Sequence, residues 1–301
     1  VSTVINESLW YGSIMNRSVP CPSTPPGLVG PIRVWMDAPS YYQLDNLYSH
    51  LNGTGGHGYP QQCISRHKVA IIVPYRARDL QLRILLHNLH SLLAKQQLDY
   101  GIYIIEQIPD QIFNRAKLMN VGFQESLKDY EWDCFIFHDV DLLPEDDRNI
   151  YSCPSQPRHM SVAVDKFKYK LPYGSIFGGI SALTREQVEK INGFSNDYWG
   201  WGGEDDDLST RVVIAGYKIS RYPANIARYK MIKHSHESSN KINKCRYKLM
   251  GKTERRWMTD GLSSLNYNVV SSEKRTLFTK IVVDLLYDES IQALRRTFPS
   301  C

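Results

Sequence analysis

Hydrophobic positions between residues 69 and 137 follow two patterns in turn. Short, mainly apolar segments at 69–75, 100–106 and 134–137 predict buried strands. Between them, apolar residues recur at helical spacing over 82–93 and 116–127, which predicts two helices with one buried face each. This order predicts an α/β fold with a mostly parallel sheet and right-handed crossovers. Because such sheets bind ligands beyond the carboxyl ends of their strands, we expect functional residues in the following loops.

Composition divides the chain into two parts. Residues 1–66 are rich in Pro, Gly, Ser and Asn, which predicts a stem end and an irregular N-terminal subdomain. Residues 67–301 hold the periodic segments and predict one large globular domain, with a less regular pattern after about residue 145. With 301 residues, of which 42% are hydrophobic, the chain can bury a sizeable core.

The charge of the chain argues against one class of partner. The formal net charge is +5 and the basic residues are dispersed, so we expect no nucleic-acid binding, whereas a mildly basic face suits a nucleotide diphosphate. The sequence has no run of about 18 apolar residues that could span a membrane. Since it begins at Val1 rather than Met, we expect that an upstream anchor or signal has been removed.

Cysteines and glycosylation sequons together favour a secretory compartment with disulfides. The six cysteines are Cys21, Cys63, Cys134, Cys153, Cys245 and Cys301. None of them forms a Cys-x-x-Cys pair, so a structural zinc site is not expected. Sequons begin at Asn6, Asn16 and Asn52. The alternative is a cytosolic chain with chance sequons.

A carboxylate pair, Asp139 and Asp141, leaves the third predicted strand. Two such carboxylates repel unless a cation lies beside them, and a divalent metal there could bridge to a diphosphate. The alternative is a solvated turn. Met231 and His234 are spaced so that both side chains can face one point, although Met is an unusual ligand for manganese. Here the alternative is a core methionine beside a surface histidine.

The segment 198–207 contains two tryptophans, three glycines and four successive acids. The glycines around Trp201 permit positive φ and movement, so this aromatic side chain can close over a sugar or phosphate. The acids open a predicted helix over 208–215, where the helix dipole favours negative charge. Plain helix capping is the alternative, but capping needs fewer acids. Crowded carboxylates raise one another's pKa, which helps one of them to accept a proton.

Two loops that follow predicted strands combine aromatic and basic residues. Residues 74–78 follow the first strand, and residues 113–115 follow the second strand and open a helix. An aromatic ring can stack on uracil, and arginine can contact phosphate or ribose. The alternative is a pair of solvated loops.

Together these segments resemble the β1,4-galactosyltransferase family. The matching text is Val-Pro-Tyr-Arg at 73–76, Phe-Asn-Arg-Ala-Lys at 113–117, Asp-Val-Asp-Leu at 139–142, Phe-Gly-Gly at 177–179, Ile-Asn-Gly-Phe at 191–194, Trp-Gly-Trp-Gly-Gly-Glu-Asp-Asp-Asp at 199–207 and Met-Ile-Lys-His at 231–234. The resemblance runs from about Cys21 to the end of the chain, and the Trp-Gly run is its most specific motif.

The resemblance implies a GT-A fold, an Mn²⁺ cofactor, a UDP-sugar donor, an inverting single displacement, and a Golgi enzyme of type II topology with an N-terminal membrane anchor. The implied metal ligands are Asp141, Met231 and His234. The implied donor-binding residues are Pro74, Tyr75, Arg76, Ala77, Arg78, Phe113, Asn114, Arg115, Asp139, Val140, Lys166, Ile176, Gly179 and Trp201.

On the acceptor side, the resemblance implies Asp205 as general base, with Glu204 beside it and Trp201 as lid. The implied acceptor-binding residues are Gly203, Glu204, Asp205, Asp206, Arg246, Tyr247 and Met250. The family typically has Phe and Ile at the last two positions. The family pattern also implies the disulfides Cys21–Cys63 and Cys134–Cys153, whereas Cys245 and Cys301 fall outside it and either pair or stay free.

One departure from the family concerns the donor sugar. Vertebrate galactosyltransferases of the family carry Tyr where this chain has Ile176. Isoleucine removes a hydroxyl near the donor's 2-substituent and leaves apolar room for an acetamido methyl, as in invertebrate N-acetylgalactosaminyltransferases. We therefore predict transfer of GalNAc from UDP-GalNAc to the 4-hydroxyl of terminal β-GlcNAc on a glycoprotein or glycolipid. The alternatives are UDP-Gal or UDP-GlcNAc as donor, a catalytically silent sugar-binding module, and a metal-dependent phosphohydrolase.

Overall fold

The computed structural model describes residues 19–49, 51, 54–233 and 240–301. The strands are β1 (Lys68–Tyr75), β2 (Asp99–Gln107), β3 (Cys134–His138), β4 (Leu142–Pro144), β5 (Arg158–His159), β6 (Ala163–Val164), β7 (Ile180–Thr184), β8 (Arg228–Met231), β9 (Asn268–Lys274) and β10 (Thr279–Asp284). The α-helices are α1 (Tyr41–Leu47), α2 (Asp79–Lys95), α3 (Arg115–Asp129), α4 (Arg185–Lys190), α5 (Glu204–Ile214), α6 (Arg246–Met250), α7 (Thr253–Arg256) and α8 (Tyr287–Thr297).

A seven-stranded sheet forms the centre of the molecule, in the order β5-β7-β3-β1-β2-β10-β9. The four strands β3, β1, β2 and β10 are parallel, and the outer strands β7, β5 and β9 pair antiparallel. The predicted α/β class with a mostly parallel sheet is therefore confirmed, with antiparallel additions from the less regular part of the sequence. A smaller sheet, in the order β4-β8-β6, lies beyond the end of β3.

Strand β1 is buried on both of its faces, which explains its continuous apolar sequence. Val69, Ile71 and Val73 pack into a cluster with the apolar stripe of α2. Ala70 and Ile72 point to the opposite face and pack with residues of α3 and α5. The sheet thus lies between two hydrophobic layers, because successive side chains of a strand alternate between its faces.

The register of the parallel strands brings their carboxyl ends to one edge. Ile71 lies opposite both Ile102 of β2 and Ile136 of β3. The loops that follow these strands, at 76–78, 108–114 and 139–141, therefore leave the sheet on the same side.

Three disulfides are present: Cys21–Cys63, Cys134–Cys153 and Cys245–Cys301. The first two agree with the family pattern, and the third resolves a pairing that the sequence left open. The N-terminal segment pairs with β2 through two Gly58–Tyr100 backbone hydrogen bonds of 2.8 and 2.9 Å. The proposed division at residues 66 and 67 stays a prediction. The three sequon asparagines lie outside the described residues. Within the described ranges, no helix has the length and apolar character needed to cross a bilayer.

Candidate active site

A cavity of about 370 Å³ opens at the carboxyl edge of the sheet. It is lined by Pro74, Arg76, Arg78, Phe113, Arg115, Asp139, Val140, Asp141, Leu142, His159, Ser161, Val164, Lys166, Phe167, Pro172, Ile176, Gly178, Gly179, Trp201, Glu204, Asp205, Met231 and Asn240. Asp141 of the first acidic motif and Asp205 of the second thus face the same cavity.

Arg115 joins the two acidic motifs across this cavity. Its Nε donates to Asp139 Oδ1 at 2.7 Å, and its Nη1 lies 3.5 Å from Glu204 Oε1. The side chain is largely buried, which by itself would lower the pKa of Arg115, but the charges of Asp139 and Glu204 raise it overall. The guanidinium therefore stays charged and holds the end of β3 against the start of α5.

Burial changes the protonation of the two acids that Arg115 contacts. It raises the pKa of Asp139 to about 6, with Arg115 opposing the shift and Asp141 adding to it. Burial likewise raises the pKa of Glu204 to about 7, and the neighbouring Asp205 adds to this shift while Arg115 opposes it. The Oε2 atom of Glu204 is buried and has no hydrogen-bond partner among the described residues. Such a site favours the neutral carboxyl form.

Asp205 lies against the backbone of Gly178. A Cβ atom at Gly178 would come 2.2 Å from Asp205 Oδ2, so only glycine leaves room for the carboxylate. Asp206, the next residue, hydrogen-bonds Tyr173, and burial together with the charge of Asp205 raises its pKa. These contacts place both carboxylates beside the loop that leads into β7.

Helix α5 begins at Glu204, so all four acids form its first turn rather than preceding it. Gly203 is the N-cap residue with φ of 97°, a conformation that favours glycine. Asp207 differs from the other three acids because it points into the interior. Its carboxylate accepts hydrogen bonds from Tyr198 Oη, Thr253 Oγ1 and Arg211 Nε at 3.1, 2.6 and 2.6 Å.

Trp201 extends into solvent at the mouth of the cavity, with 54% of its surface exposed. Its backbone pairs with residues 241–243. Trp201 N donates to Lys241 O at 2.9 Å, and Asn243 N donates to Trp201 O at 3.0 Å. Gly200 and Gly202 on either side have φ of 91° and 103°. The indole is thus held by its backbone while its ring stays exposed, as a closing side chain requires.

Two of the three predicted metal ligands lie side by side. Ile232 N donates to Asp141 O at 2.7 Å, and Leu142 pairs with Met231 across β4 and β8. Asp141 and Met231 both line the cavity, whereas His234 lies outside the described residues. No group of three His, Cys, Asp or Glu side chains suited to a metal occurs within the described part of the chain. A carboxylate with a thioether beside it fits a partial ligand set for a borderline divalent cation.

Comparison with known proteins decides the family. The chain matches the N-terminal region of glycosyl transferase group 7 over residues 21–154 and the N-terminal domain of galactosyltransferase over residues 158–235. β-1,4-Galactosyltransferase 3 of Bos taurus is 51% identical over 267 residues, which cover 88% of this chain and 67% of the relative. β-1,4-Galactosyltransferase 1 of Homo sapiens is 50% identical over 265 residues, with the same coverage of both chains.

The chain belongs to the β1,4-galactosyltransferase family. The catalytic domain of Drosophila β1,4-galactosyltransferase 7 in complex with xylobiose superposes with a TM-score of 0.63 at 31% identity, covering 73% of this chain and 94% of that one. A point mutant of that enzyme, in complex with manganese, UDP-Gal and xylobiose, superposes with a TM-score of 0.62 at 29% identity and the same coverage.

The family membership confirms several predictions. The chain is a glycosyltransferase with the predicted GT-A-type fold, and manganese as cofactor and a UDP-sugar as donor agree with its relatives. The relatives named above are galactosyltransferases, so the predicted closeness to invertebrate N-acetylgalactosaminyltransferases is not shown and stays a prediction.

Most, but not all, of the donor-side residues that the family resemblance implies reach the cavity. Arg76 lies over the Phe113 ring at 4.9 Å and donates to Gln111 O at 2.6 Å, so the two basic aromatic loops contact each other. Tyr75, Ala77 and Asn114 do not line the cavity. Asn114 is fully buried as the N-cap of α3, where its side chain accepts from Lys117 N and donates to Asn196 O.

The family's acceptor-side residues on α6 lie behind the Trp-Gly run. Arg246 approaches the ring of Trp201 at 5.8 Å and hydrogen-bonds Tyr247 Oη at 3.3 Å. A Cβ at Gly203 would come 2.9 Å from Arg246 Cβ and 3.3 Å from Met250 Sδ. Arg246 and Met250 therefore adjoin the Trp-Gly run and Tyr247 contacts Arg246, but none of the three lines the cavity.

Sequence reasoning missed a group of residues that hold the loop around Ile176. Arg221 donates to Ile176 O at 2.8 Å and to Gly174 O at 2.9 Å. His159 lies between Arg221 Nε and Gly178 O, and its pKa falls to about 3 because of burial and the charge of Arg221. The neutral imidazole thus supports the loop without adding charge. No sequence motif links positions 159, 176 and 221, because only the fold brings them together.

Proposed function

We propose that this chain transfers a galactose-type sugar from a UDP-sugar to the 4-hydroxyl of a terminal N-acetylglucosamine, with inversion at the anomeric carbon. The observation that carries this proposal is the Asp139–Arg115–Glu204 connection, which brings the donor-side and acceptor-side acids to one cavity. Glycosyl transfer needs donor-side and acceptor-side groups in one cavity, and the inversion is proposed from the family resemblance.

On the donor side, the basic residues would bind the nucleotide. Arg76, Arg78 and Lys166 line the cavity with Phe113, so cationic side chains and an aromatic face are available for phosphate and uracil. Manganese held by Asp141 and Met231, with His234 expected as a further ligand, would neutralise charge on the diphosphate.

On the acceptor side, Asp205 is the base that we favour over Glu204. A pKa of about 7 and the buried position of Glu204 leave it partly neutral and paired with Arg115. Asp205 lines the cavity directly, and its carboxylate packs against Gly178. It would take the proton of the attacking hydroxyl, while Trp201 closes over the sugars and excludes water.

For the donor sugar, galactose is the first candidate because the relatives that share half of this sequence are named galactosyltransferases. N-acetylgalactosamine is the second candidate, and Ile176 favours it. Ile176 lines the cavity, as do Pro172 and Phe167, so apolar side chains are available there to accept an acetamido methyl. The two candidates share every other element of the site.

A donor panel tests the proposal. UDP-Gal, UDP-GalNAc and UDP-GlcNAc are each offered with a GlcNAc-terminated acceptor and Mn²⁺, and the linkage of the product is determined by NMR. We expect a β1,4-linked product with UDP-Gal or UDP-GalNAc and stoichiometric release of UDP. Release of inorganic phosphate without glycoside formation would indicate a phosphohydrolase instead. Binding of the acceptor with no release of UDP would indicate a silent sugar-binding module.

The cellular location is a separate proposal. From the family resemblance and the three disulfides, we propose a Golgi-lumenal enzyme held by an N-terminal anchor outside this sequence. Carbonate extraction and protease protection of the full-length gene product in Golgi membranes test this topology. Recovery of the protein in the cytosol would contradict it.

A further inference from the structure

The C-terminal helix α8 packs against the Trp-Gly run at 199–207 and against α6, the two elements proposed to form the acceptor side of the site. At its first residue, Tyr287 meets Trp199 edge to face, with ring centroids 4.9 Å apart. Trp199 lies two residues before Trp201 in the Trp-Gly run. Lys117 of α3 fixes the start of α8, because its Nζ donates to Leu285 O at 2.6 Å and to Ser290 Oγ at 3.0 Å.

At its other end, α8 packs against α6. Leu294 forms a small hydrophobic cluster with Leu249, Cys245 and Tyr198, separate from the two large clusters around the sheet. Leu249 is fully buried although α6 is only five residues long. A helix this short has little intrinsic stability, so its position depends on what it packs against.

The Cys245–Cys301 disulfide fastens this contact covalently. Cys245 immediately precedes Arg246, and Cys301 follows α8. Lys248 Nζ also donates to Ser300 Oγ at 2.6 Å. Cys245 N donates to Asn243 Oδ1 at 2.8 Å, and Asn243 N donates to the backbone of Trp201. A continuous set of contacts therefore runs from the C-terminus through the disulfide to Trp201.

We infer that α8 and the Cys245–Cys301 disulfide position the acceptor subsite, and so set the affinity of this enzyme for its acceptor sugar. This inference rests on the proposed function, because it takes Trp201 and α6 to contact the acceptor. The donor side lies across the cavity on β1, β3 and β8, whereas the contacts of α8 described above go to Trp199, to α6 and to Lys117 of α3. The helix and disulfide are positioning elements, since they act through Trp199, Trp201 and α6.

Steady-state kinetics of a Cys245→Ser/Cys301→Ser double variant and of Leu294→Ala test the inference. We expect the KM for a GlcNAc acceptor to rise about 5- to 20-fold, and the KM for the UDP-sugar to stay within about twofold, since only acceptor binding is weakened. A Leu294→Met variant retains apolar volume and should restore the acceptor KM. Leu44→Ala, which empties a buried helix position in α1 far from the acceptor side, is the matched control.

Separate measurements keep the outcomes distinct. Circular dichroism and the affinity for UDP, measured by calorimetry, show whether each variant is folded with an intact donor side. An unchanged acceptor KM in the folded double variant would overturn the inference. Equal increases in both KM values would also overturn it, because they would indicate a general loss of structure. If the wild-type protein transfers no sugar to the acceptor, the proposed function fails instead.

Discussion

Arg115 donates a 2.7 Å hydrogen bond to Asp139, and its other arm lies 3.5 Å from Glu204. Asp139 directly follows the central strand β3, and Glu204, 65 positions further along the chain, begins α5. This one guanidinium therefore holds the end of β3 and the start of α5 together at the cavity.

Replacing Arg115 should damage both stability and activity. Arg115→Met leaves two partly buried carboxylates without their cation. Because both side chains keep some solvent exposure and can take up a proton, we expect a cost below the roughly 3–5 kcal/mol of a broken, fully buried pair. We expect a lower free energy of unfolding and a large loss of transfer, while Arg115→Lys retains part of both. Urea unfolding followed by circular dichroism measures the first effect. Arg185→Met, which removes an exposed pair with Glu189, is the control and should change stability by less than about 1 kcal/mol.

Asp205→Asn should lower kcat strongly and change the KM values for donor and acceptor little. The amide keeps the shape of the carboxylate beside Gly178 but cannot accept the acceptor's proton, and loss of a general base typically costs about 10²–10⁴-fold in rate. Initial rates of UDP release at saturating donor and acceptor provide the measurement. Near-normal turnover would remove Asp205 from the mechanism.

Gly178→Ala should displace Asp205 without unfolding the protein. The added methyl would lie 2.2 Å from Asp205 Oδ2, so the carboxylate has to move, and misplacement of a catalytic group by about 1 Å can cost about 10²-fold in rate. Gly174→Ala on the same loop is the matched control, since a Cβ there meets nothing within 4 Å. Similar rates for the two variants would argue against a fixed position for Asp205.

Ile176→Tyr should shift the donor preference toward UDP-Gal. Tyrosine brings a bulky hydroxyl to the apolar wall, so the ratio of kcat/KM for UDP-GalNAc to that for UDP-Gal should fall by about tenfold or more. Ile176→Leu retains the apolar surface and should leave the ratio unchanged. Competition between the two donors, followed by mass spectrometry of the products, measures this ratio. An equal ratio in all three proteins would show that Ile176 does not contact the donor's 2-substituent.

The raised pKa of Glu204 should make stability depend on pH. Its pKa rises from 4.5 to about 7, chiefly through burial, so the folded state binds the proton more tightly than the unfolded state. The stabilising contribution of this proton is fully present below pH 4.5 and is lost as the pH rises through about 7. We expect Glu204→Gln to flatten this decline in the free energy of unfolding of the metal-free protein. A parallel decline in both proteins would assign it to other groups.

Much of the central fold was predictable from local pattern. The burial of β1 on both faces required an unbroken apolar run, and α2 needed leucines at helical spacing, so both elements could be read directly from sequence. The edge strand β9 lacked such a signal. All seven residues of β9 are exposed, so no hydrophobic alternation marks it.

The candidate site was predictable where residues with suitable chemistry directly follow a strand that the sequence pattern reveals. Asp139 and Asp141 follow a buried strand, and parallel strands deliver such residues to one edge. Roles within a motif were less predictable. Asp205 and Asp207 lie in one acidic run, yet the first faces the cavity and the second is buried against Arg211 and Thr253. Asn114 likewise belongs to a loop motif but caps α3.

The sequence by itself determined which segments form the central strands and helices along the chain. It also determined the identity of the acidic, aromatic and glycine motifs, because both depend on side chains close together in the chain. Only the tertiary structure decided that Arg115 connects Asp139 to Glu204, that Arg221 holds Ile176, and that the Cys245–Cys301 disulfide ties the C-terminus to the start of α6. Each of those contacts joins residues tens of positions apart. Their distances follow from how the layers pack on the sheet, which no local pattern encodes.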